Sequence, residues 1–283
     1  MSKDSLNNVG NMTDFETLLV ETTRPGVILV TLNRPARRNA VDRTMHGELS
    51  ELFVRLRSMP DVGAVVLTGA GGGFCAGGDF GLMEEFQRDD WRRTVRTMDE
   101  GVAMVRDLLQ VPAPVVAAVN GGAYGLGATL ALLCDFVVIS EQASLADTHV
   151  KAGIVAGDGG TLVWPHLLGH LRAKEFLLTG DPLDAKTALS MGLVNRVVPA
   201  EDVLQTALDM ADRFANGPRQ AIAWTKQAIN SALLREASQQ MPLAIALEAR
   251  TMMLPDHGEG ISAFRQRRQA EWPSNQAEPP VAP

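Results

Sequence analysis

The chain has too few cysteines for a disulfide scaffold: only Cys75 and Cys134 occur among 283 residues. Both sit in apolar runs and neither shows metal-ligand spacing, so a reducing intracellular compartment is expected. Long hydrophobic runs are also missing. The longest, near ATLALLCDFVVI, is too short to cross a bilayer and carries Asp135. The opening MSKDSLNNVGNMTDF lacks the apolar core of a secretory signal, so a cytoplasmic protein is expected. Positive charge is in deficit: 26 Lys and Arg stand against 33 Asp and Glu, a formal net charge of −7. That balance argues against a broad nucleic-acid surface, and an anionic ligand would need a local basic cluster. No internal repeat is present. GAYGLG lacks the spacing and the downstream acidic residue of a dinucleotide fingerprint.

What is present is the material of one large domain, with 46% hydrophobic and 21% charged residues. FETLLVETTRPGVILVTLN reads as two strands around the Arg24-Pro25-Gly26 turn. Asp42 is placed to cap a helix whose apolar positions Met45, Leu49, Leu52, Phe53, Leu56 and Met59 keep helical spacing. VGAVVLTG (62–69), PVVAAVNG (114–121) and CDFVVIS (134–140) are continuously apolar, as strands buried on both faces are. Helical stretches separate them, which predicts an α/β architecture with largely parallel, right-handed connections. Beyond about residue 165 the pattern turns helical. AEDVLQTALDMADRFA is amphipathic through Val203, Leu204, Ala207, Leu208, Ala211 and Phe214, and Gly217-Pro218, Pro242 and Pro255 punctuate the helices after it. The chain therefore divides into a disordered start (1–13), an α/β core with the active site (14–200), a helical region (201–270) and a loose tail (271–283).

Two Gly-rich turns carry the first chemical signal. LTGAGGGFCAGGDFGLM (67–83) and VNGGAYGLGATLALL (119–133) each follow a buried strand and precede a helix. Glycine lets backbone amides approach a ligand, and the next helix adds partial positive charge. Facing one another, two such turns would form an oxyanion hole for a carbonyl oxygen. The alternative is a pair of tight turns with no ligand.

These stretches, with LNRPARRNAV (32–41), GIVAGDGG (153–160), LLTGDPLDAKTALSMGLVNRVV (177–198) and GISAFRQRR (260–268), resemble the enoyl-CoA hydratase/isomerase (crotonase) superfamily from roughly residue 15 to 270. The resemblance implies a crotonase fold, a spiral of ββα turns with a C-terminal helical trimerisation region. It implies an acyl-CoA thioester as the substrate, coenzyme A being part of that substrate and no separate cofactor needed. It also implies a homotrimer or dimer of trimers. By motif the oxyanion-hole amides fall on Gly78 and Leu126. For the CoA moiety it points to basic residues near the NRP turn, Arg34, Arg37 and Arg38, and near the SAF helix, Arg265, Arg267 and Arg268. Of these Arg34, Arg38 and Arg267 join Cys75 and Thr129 as the candidate substrate-binding set.

The departures from the family are as informative as the matches. A typical hydratase carries two glutamates, and their positions are occupied here by Thr129 and His149. A threonine hydroxyl has no useful acidity near pH 7, so two-carboxylate hydration does not carry over. His149 titrates near neutrality and suits a general base. Asp158, nine residues on across a Gly-rich segment, would fix its tautomer if the chain folds back. This His/Asp pattern is similar to the β-diketone hydrolase (6-oxocamphor hydrolase type) branch of the superfamily. Two alternatives to an acyl-CoA enzyme therefore stand: a hydrolase cleaving a C–C bond of a CoA-free cyclic β-diketone, and a catalytically silent crotonase-fold binding protein.

Plainer roles compete at each position. His149 reads also as a solvent-facing loop residue, and Asp158 as the N-cap of the following helix. Cys75 reads as a small buried side chain, Asp79 as the cap of the FGLMEEF helix, and His46 as a partly exposed residue. His166 and His170 are expected at the surface or in packing, and Met83, Met98 and Met104 in the core or a pocket wall.

Overall fold

The computed structural model describes residues 14–88 and 91–276. The expected disorder of 1–13 lies outside them. The first elements are a hairpin, β1 (Leu18–Arg24) and β2 (Val27–Leu32), turning at Pro25 and Gly26, where φ is 76°. Then come α1 (Arg43–Arg57), β3 (Ala64–Gly69), α2 (Phe80–Arg88), α3 (Trp91–Gln110), β4 (Val115–Val119), β5 (Ala123–Tyr124), α4 (Leu126–Leu132), β6 (Phe136–Ser140) and β7 (Ser144–Ala146). The chain continues through α5 (Gly160–Thr179), β8 (Leu183–Asp184), α6 (Ala185–Ser190), β9 (Arg196–Val198), α7 (Val203–Ala215), α8 (Arg219–Met252) and α9 (Pro255–Gln266). Asp42 caps α1 by accepting the Met45 amide at 2.9 Å, and Met59 lies just beyond the helix end.

A six-stranded sheet runs in the order β1-β2-β3-β4-β6-β9, and only the β1–β2 pair is antiparallel. A second, three-stranded sheet contains β5, β7 and β8. Successive side chains of a strand point to opposite faces. On one face Ile28, Val30, Val65, Leu67, Val115 and Ala117 pack with α1, α3 and α5. On the other Val27, Leu29, Ala64, Val66, Val116 and Ala118 meet Val203, Ala207 and Ala211 of α7. Both faces are covered, which is why the strands read as unbroken apolar runs rather than alternating ones. The helical region after residue 200 thus begins with α7 packed as a layer on the sheet.

Two further expectations are revised. Pro242 lies inside α8 instead of ending a helix. Buried Met241, Ala244 and Ile245 on either side of it hold α8 against the core, and that packing outweighs one lost backbone hydrogen bond. The tail is not loose from residue 271. Asp256 accepts the amide and hydroxyl of Ser274, and Glu259 accepts the Glu271 amide. Residues 277–283 lie outside the described residues.

Candidate active site

The two Gly-rich turns come together as bridged loops. Val41 donates to the Gly77 carbonyl at 2.8 Å and accepts from the Asp79 amide at 2.9 Å. That alternation turns the Gly78 amide the other way, toward a cavity. Asn39 fixes the same loop: buried, with φ at 55°, it donates through Nδ2 to the carbonyls of Ala70, Gly73 and Phe74. The second amide belongs to Leu126, the first residue of α4 after Gly125 (φ 51°). Helix-start amides have no intrahelical acceptor. Among the described residues no hydrogen bond occupies the amide of Gly78 or Leu126.

His149 follows β7 and opens a 3-10 turn, Val150–Ala152, that Gly153 ends at φ 71°. The chain then folds back, and His149 meets carboxylates on both ring nitrogens. Nε2 lies 3.0 Å from Asp158 Oδ2, and Nδ1 lies 2.7 Å from Asp147 Oδ1. Burial works against a charge on this imidazole, but Asp158 and Asp147 together hold its pKa well above the ordinary histidine value. The two carboxylates thus favour the protonated imidazole, and His149 is buried rather than a solvent-facing loop residue. Asp158 is likewise not a helix cap. The N-cap of α5 is Gly159 with no side-chain bond, and the Asp158 carboxylate goes to His149 and to the Thr129 hydroxyl, 3.3 Å away.

A third carboxyl enters from α8. Glu248 is buried at the cavity wall, and among the described residues its Oε2 has no hydrogen-bond partner. Burial first, and then the charge of Asp158, push its pKa from 4.5 up to about 8, against the pull of His149. It therefore keeps its proton at pH 7. Gly157 makes this approach possible, because a Cβ there would lie 2.5 Å from the Ala244 carbonyl and 2.6 Å from Glu248 Oε2. The enclosed space is about 70 Å³, bounded by Gly78, Leu126, His149, Asp158, Glu248 and His46, with Leu82, Met83, Phe86, Met98, Ile245 and Met252 as apolar walls. A larger groove of about 510 Å³, near Arg57, Pro112, Arg219 and Trp224, contains none of these polar groups.

Several sequence-based assignments are corrected by the geometry. Cys75 is fully buried against Gly127, its thiol pushed up to about 12 by burial, and it does not line the cavity. Thr129 is buried behind Asp158 and serves that carboxylate, not a substrate. Arg34 is spent on Asp42 at 3.0 Å and Asp79 at 3.2 Å, so its guanidinium ties loops together. Arg38 and Arg267 are exposed, each at a left-handed residue that ends a helical turn. His46 is buried and lines the cavity, its pKa lowered by burial against the charge of Glu100, 3.7 Å away. Asp79 does cap α2, accepting the Gly81 amide at 2.8 Å. His166 and His170 are exposed, Met83 and Met98 line the cavity, and Met104 is in the core.

Comparison with known proteins now bears on these loops. Residues 22–275 match the family described as enoyl-CoA hydratase/isomerase. The chain belongs to that family. It is an enzyme of the crotonase superfamily, so the silent binding-module alternative falls. A curated relative, 1,2-epoxyphenylacetyl-CoA isomerase of Escherichia coli, is 35% identical over 87% of this chain and 95% of its own. An enoyl-CoA hydratase/isomerase structure from Mycobacterium paratuberculosis is 38% identical, with a TM-score of 0.84 over 88% of this chain and 99% of that one. A β-diketone hydrolase structure from Anabaena, bound to (S)-3-oxocyclohexyl acetic acid, is 29% identical, with a TM-score of 0.80 over 86% and 96% of the two chains.

Two members of this crotonase site were missed in the sequence. Asp147 stands two residues before His149, and an Asp-x-His spacing is the local signal that was available. Glu248 is a lone carboxylate in an apolar helical stripe of Met241, Ala244, Ile245 and Met252. The raised Glu248 pKa has a thermodynamic consequence. The folded chain keeps a proton that the unfolded chain loses near 4.5, so this group's contribution to stability falls as pH rises from about 4.5 to 8. Denaturant unfolding of wild type and Glu248→Gln across that window is expected to show the wild type losing ground with rising pH. A difference independent of pH would contradict the assignment.

Proposed function

We propose that the enzyme hydrolyses a carbon–carbon bond of a cyclic β-diketone, with no requirement for CoA. The observation that carries this reading is His149, clamped between Asp147 and Asp158, beside the buried Glu248 carboxyl at a small, mostly apolar cavity. In this mechanism one carbonyl oxygen of the diketone accepts hydrogen bonds from the Gly78 and Leu126 amides, which polarise it. Asp158 takes a proton from water as the water oxygen adds to that carbonyl carbon. The tetrahedral adduct collapses by breaking the bond to the carbon between the two carbonyls, and the electron pair leaves as the enolate of the second ketone. Glu248 donates its proton to that carbon. The ring opens to a single keto acid that carries the new carboxylic acid and the remaining ketone, one water being consumed. His149 Nε2, 3.0 Å from Asp158 Oδ2, holds that carboxylate in place beside the carbonyl site.

A second reading, an acyl-CoA thioester substrate, is favoured by the name of the Escherichia coli relative and by the exposed Arg38 and Arg267, whose forked donors suit phosphates. It retains the two-amide carbonyl site but leaves hydration without its usual pair of glutamates. The assembly proposed on either reading is a homotrimer or dimer of trimers. Exposed Ile229, Leu243, Met253 and Leu254 on and after α8 are consistent with it. Light scattering at micromolar concentration is expected to give a trimer or hexamer, and a monomer would refute the assembly.

The test is turnover of bicyclic β-diketones and of crotonyl-CoA by the purified enzyme. Diketone cleavage without CoA is expected, with crotonyl-CoA hydration very weak. His149→Ala, Asp158→Asn and Glu248→Gln should each lower kcat by roughly 10²-fold or more. The wild-type rate should fall as pH rises through about 8, where Glu248 loses its proton. Efficient crotonyl-CoA hydration with no diketone turnover would transfer the assignment to the thioester.

A further inference from the structure

Asp147 does not border the cavity, and no step of the proposed hydrolysis uses it. We propose that Asp147 is the positioning residue of the site, locking the ring of His149 so that Nε2 faces Asp158 and Asp158 alone faces the water. The inference deepens the hydrolytic reading and rests on it for the identity of the base.

The local chain explains the lock. Ala146, which ends β7, accepts the Gly125 amide at 2.9 Å, so Asp147 leaves a backbone already tied to the second Gly-rich turn. Its Oδ1 then accepts twice from the same residue, from His149 Nδ1 at 2.7 Å and from the His149 amide at 3.3 Å. Backbone and ring are fixed by one oxygen, which leaves the imidazole no freedom to flip. Oδ2 is buried and, among the described residues, has no hydrogen-bond partner. It lies against the first residue of α5, where a Cβ on Gly160 would fall 2.2 Å from it. The His149 ring and the N-terminal end of α5, a helix that kinks at Gly169, are the groups that face this carboxyl. Among the described residues the other titratable groups at this cavity are Asp158 from the loop before α5, Glu248 from α8 and His46 from α1. Asp158 contacts Nε2 and is tied by Thr129 from α4, so only Asp147 can set the Nδ1 side. With Nδ1–H committed to Asp147, Nε2 carries its proton toward Asp158.

The experiment is a pH titration of the His149 imidazole by nitrogen NMR in full-length wild type, Asp147→Asn and Asp147→Ala, paired with steady-state kinetics on the diketone. In wild type both ring nitrogens should stay protonated through neutral pH. In Asp147→Asn, which keeps the side chain's shape, the midpoint should fall by about one unit or more, a tenfold loss of proton affinity. The rate constant kcat should drop on the order of tenfold or more, while KM moves less than about threefold. Asp147→Ala should repeat the shift and lose the fixed ring tautomer as well. A His149 neutral in wild type at pH 7 overturns the proposal without any variant. So does a midpoint unmoved in a folded variant. The titration needs no substrate, so absence of diketone turnover would sink the proposed function and leave the positioning claim to be decided by the spectra.

Discussion

Everything around the site depends on one buried charge. A largely buried imidazolium held between Asp147 and Asp158 is tolerable only if both carboxylates are within hydrogen-bond range and neither can move away. That demand sets the backbone. Gly153 at φ 71° and Gly159 at φ 118° turn the chain back on itself between residues 149 and 160. Gly160 leaves room for Asp147, and Gly157 lets α8 bring Glu248 close. Burial first, and then the charge of Asp158, push the pKa of the Glu248 carboxyl beside this cluster up to about 8. The same arithmetic that restrains the charges thus leaves a proton donor and a proton acceptor side by side in one cavity, the separation of roles that acid/base catalysis requires.

The sheet gives that cluster its rigidity. β3 and β4 are adjacent and parallel, so the turns that come after them emerge at the same end of the sheet. A crevice at the carboxyl ends of parallel strands is where open α/β sheets bind ligands. Here it is lined by the amides of Gly78 and Leu126. Asn39 pins the first turn from below, and the Ala146 carbonyl pins the second through the Gly125 amide. The amides are therefore held in place by the scaffold before any substrate arrives.

Most of the fold could be read in the sequence because its signals are local. Apolar runs marked β3, β4 and β6, helical spacing and Asp42 marked α1, and Gly-rich stretches marked the two turns. What could not be read were the long-range partners. Asp158 resembles any Asp before a helix, and only the fold-back shows its carboxylate spent on His149. Arg34 resembles a phosphate ligand until Asp42 and Asp79 are seen to occupy it. Glu248 lies 99 positions from His149 in the chain, counting from their numbers, and no local pattern links them. Asp147 was nearest and still passed unnoticed, because an Asp-x-His spacing has meaning only when the bond at Nδ1 is visible. His46 looked exposed on its amphipathic helix because the wall that covers it comes from α3 and α8.

The central claim is that this enzyme divides one water molecule across a carbon–carbon bond, and isotope placement tests it most directly. Diketone turnover is run once in oxygen-18 water and once in deuterium oxide, and the product is read by mass spectrometry and NMR. The account predicts one heavy oxygen in the new carboxyl group and one deuterium on the carbon released from it. A product that keeps its carbon skeleton and gains water across a double bond would contradict it.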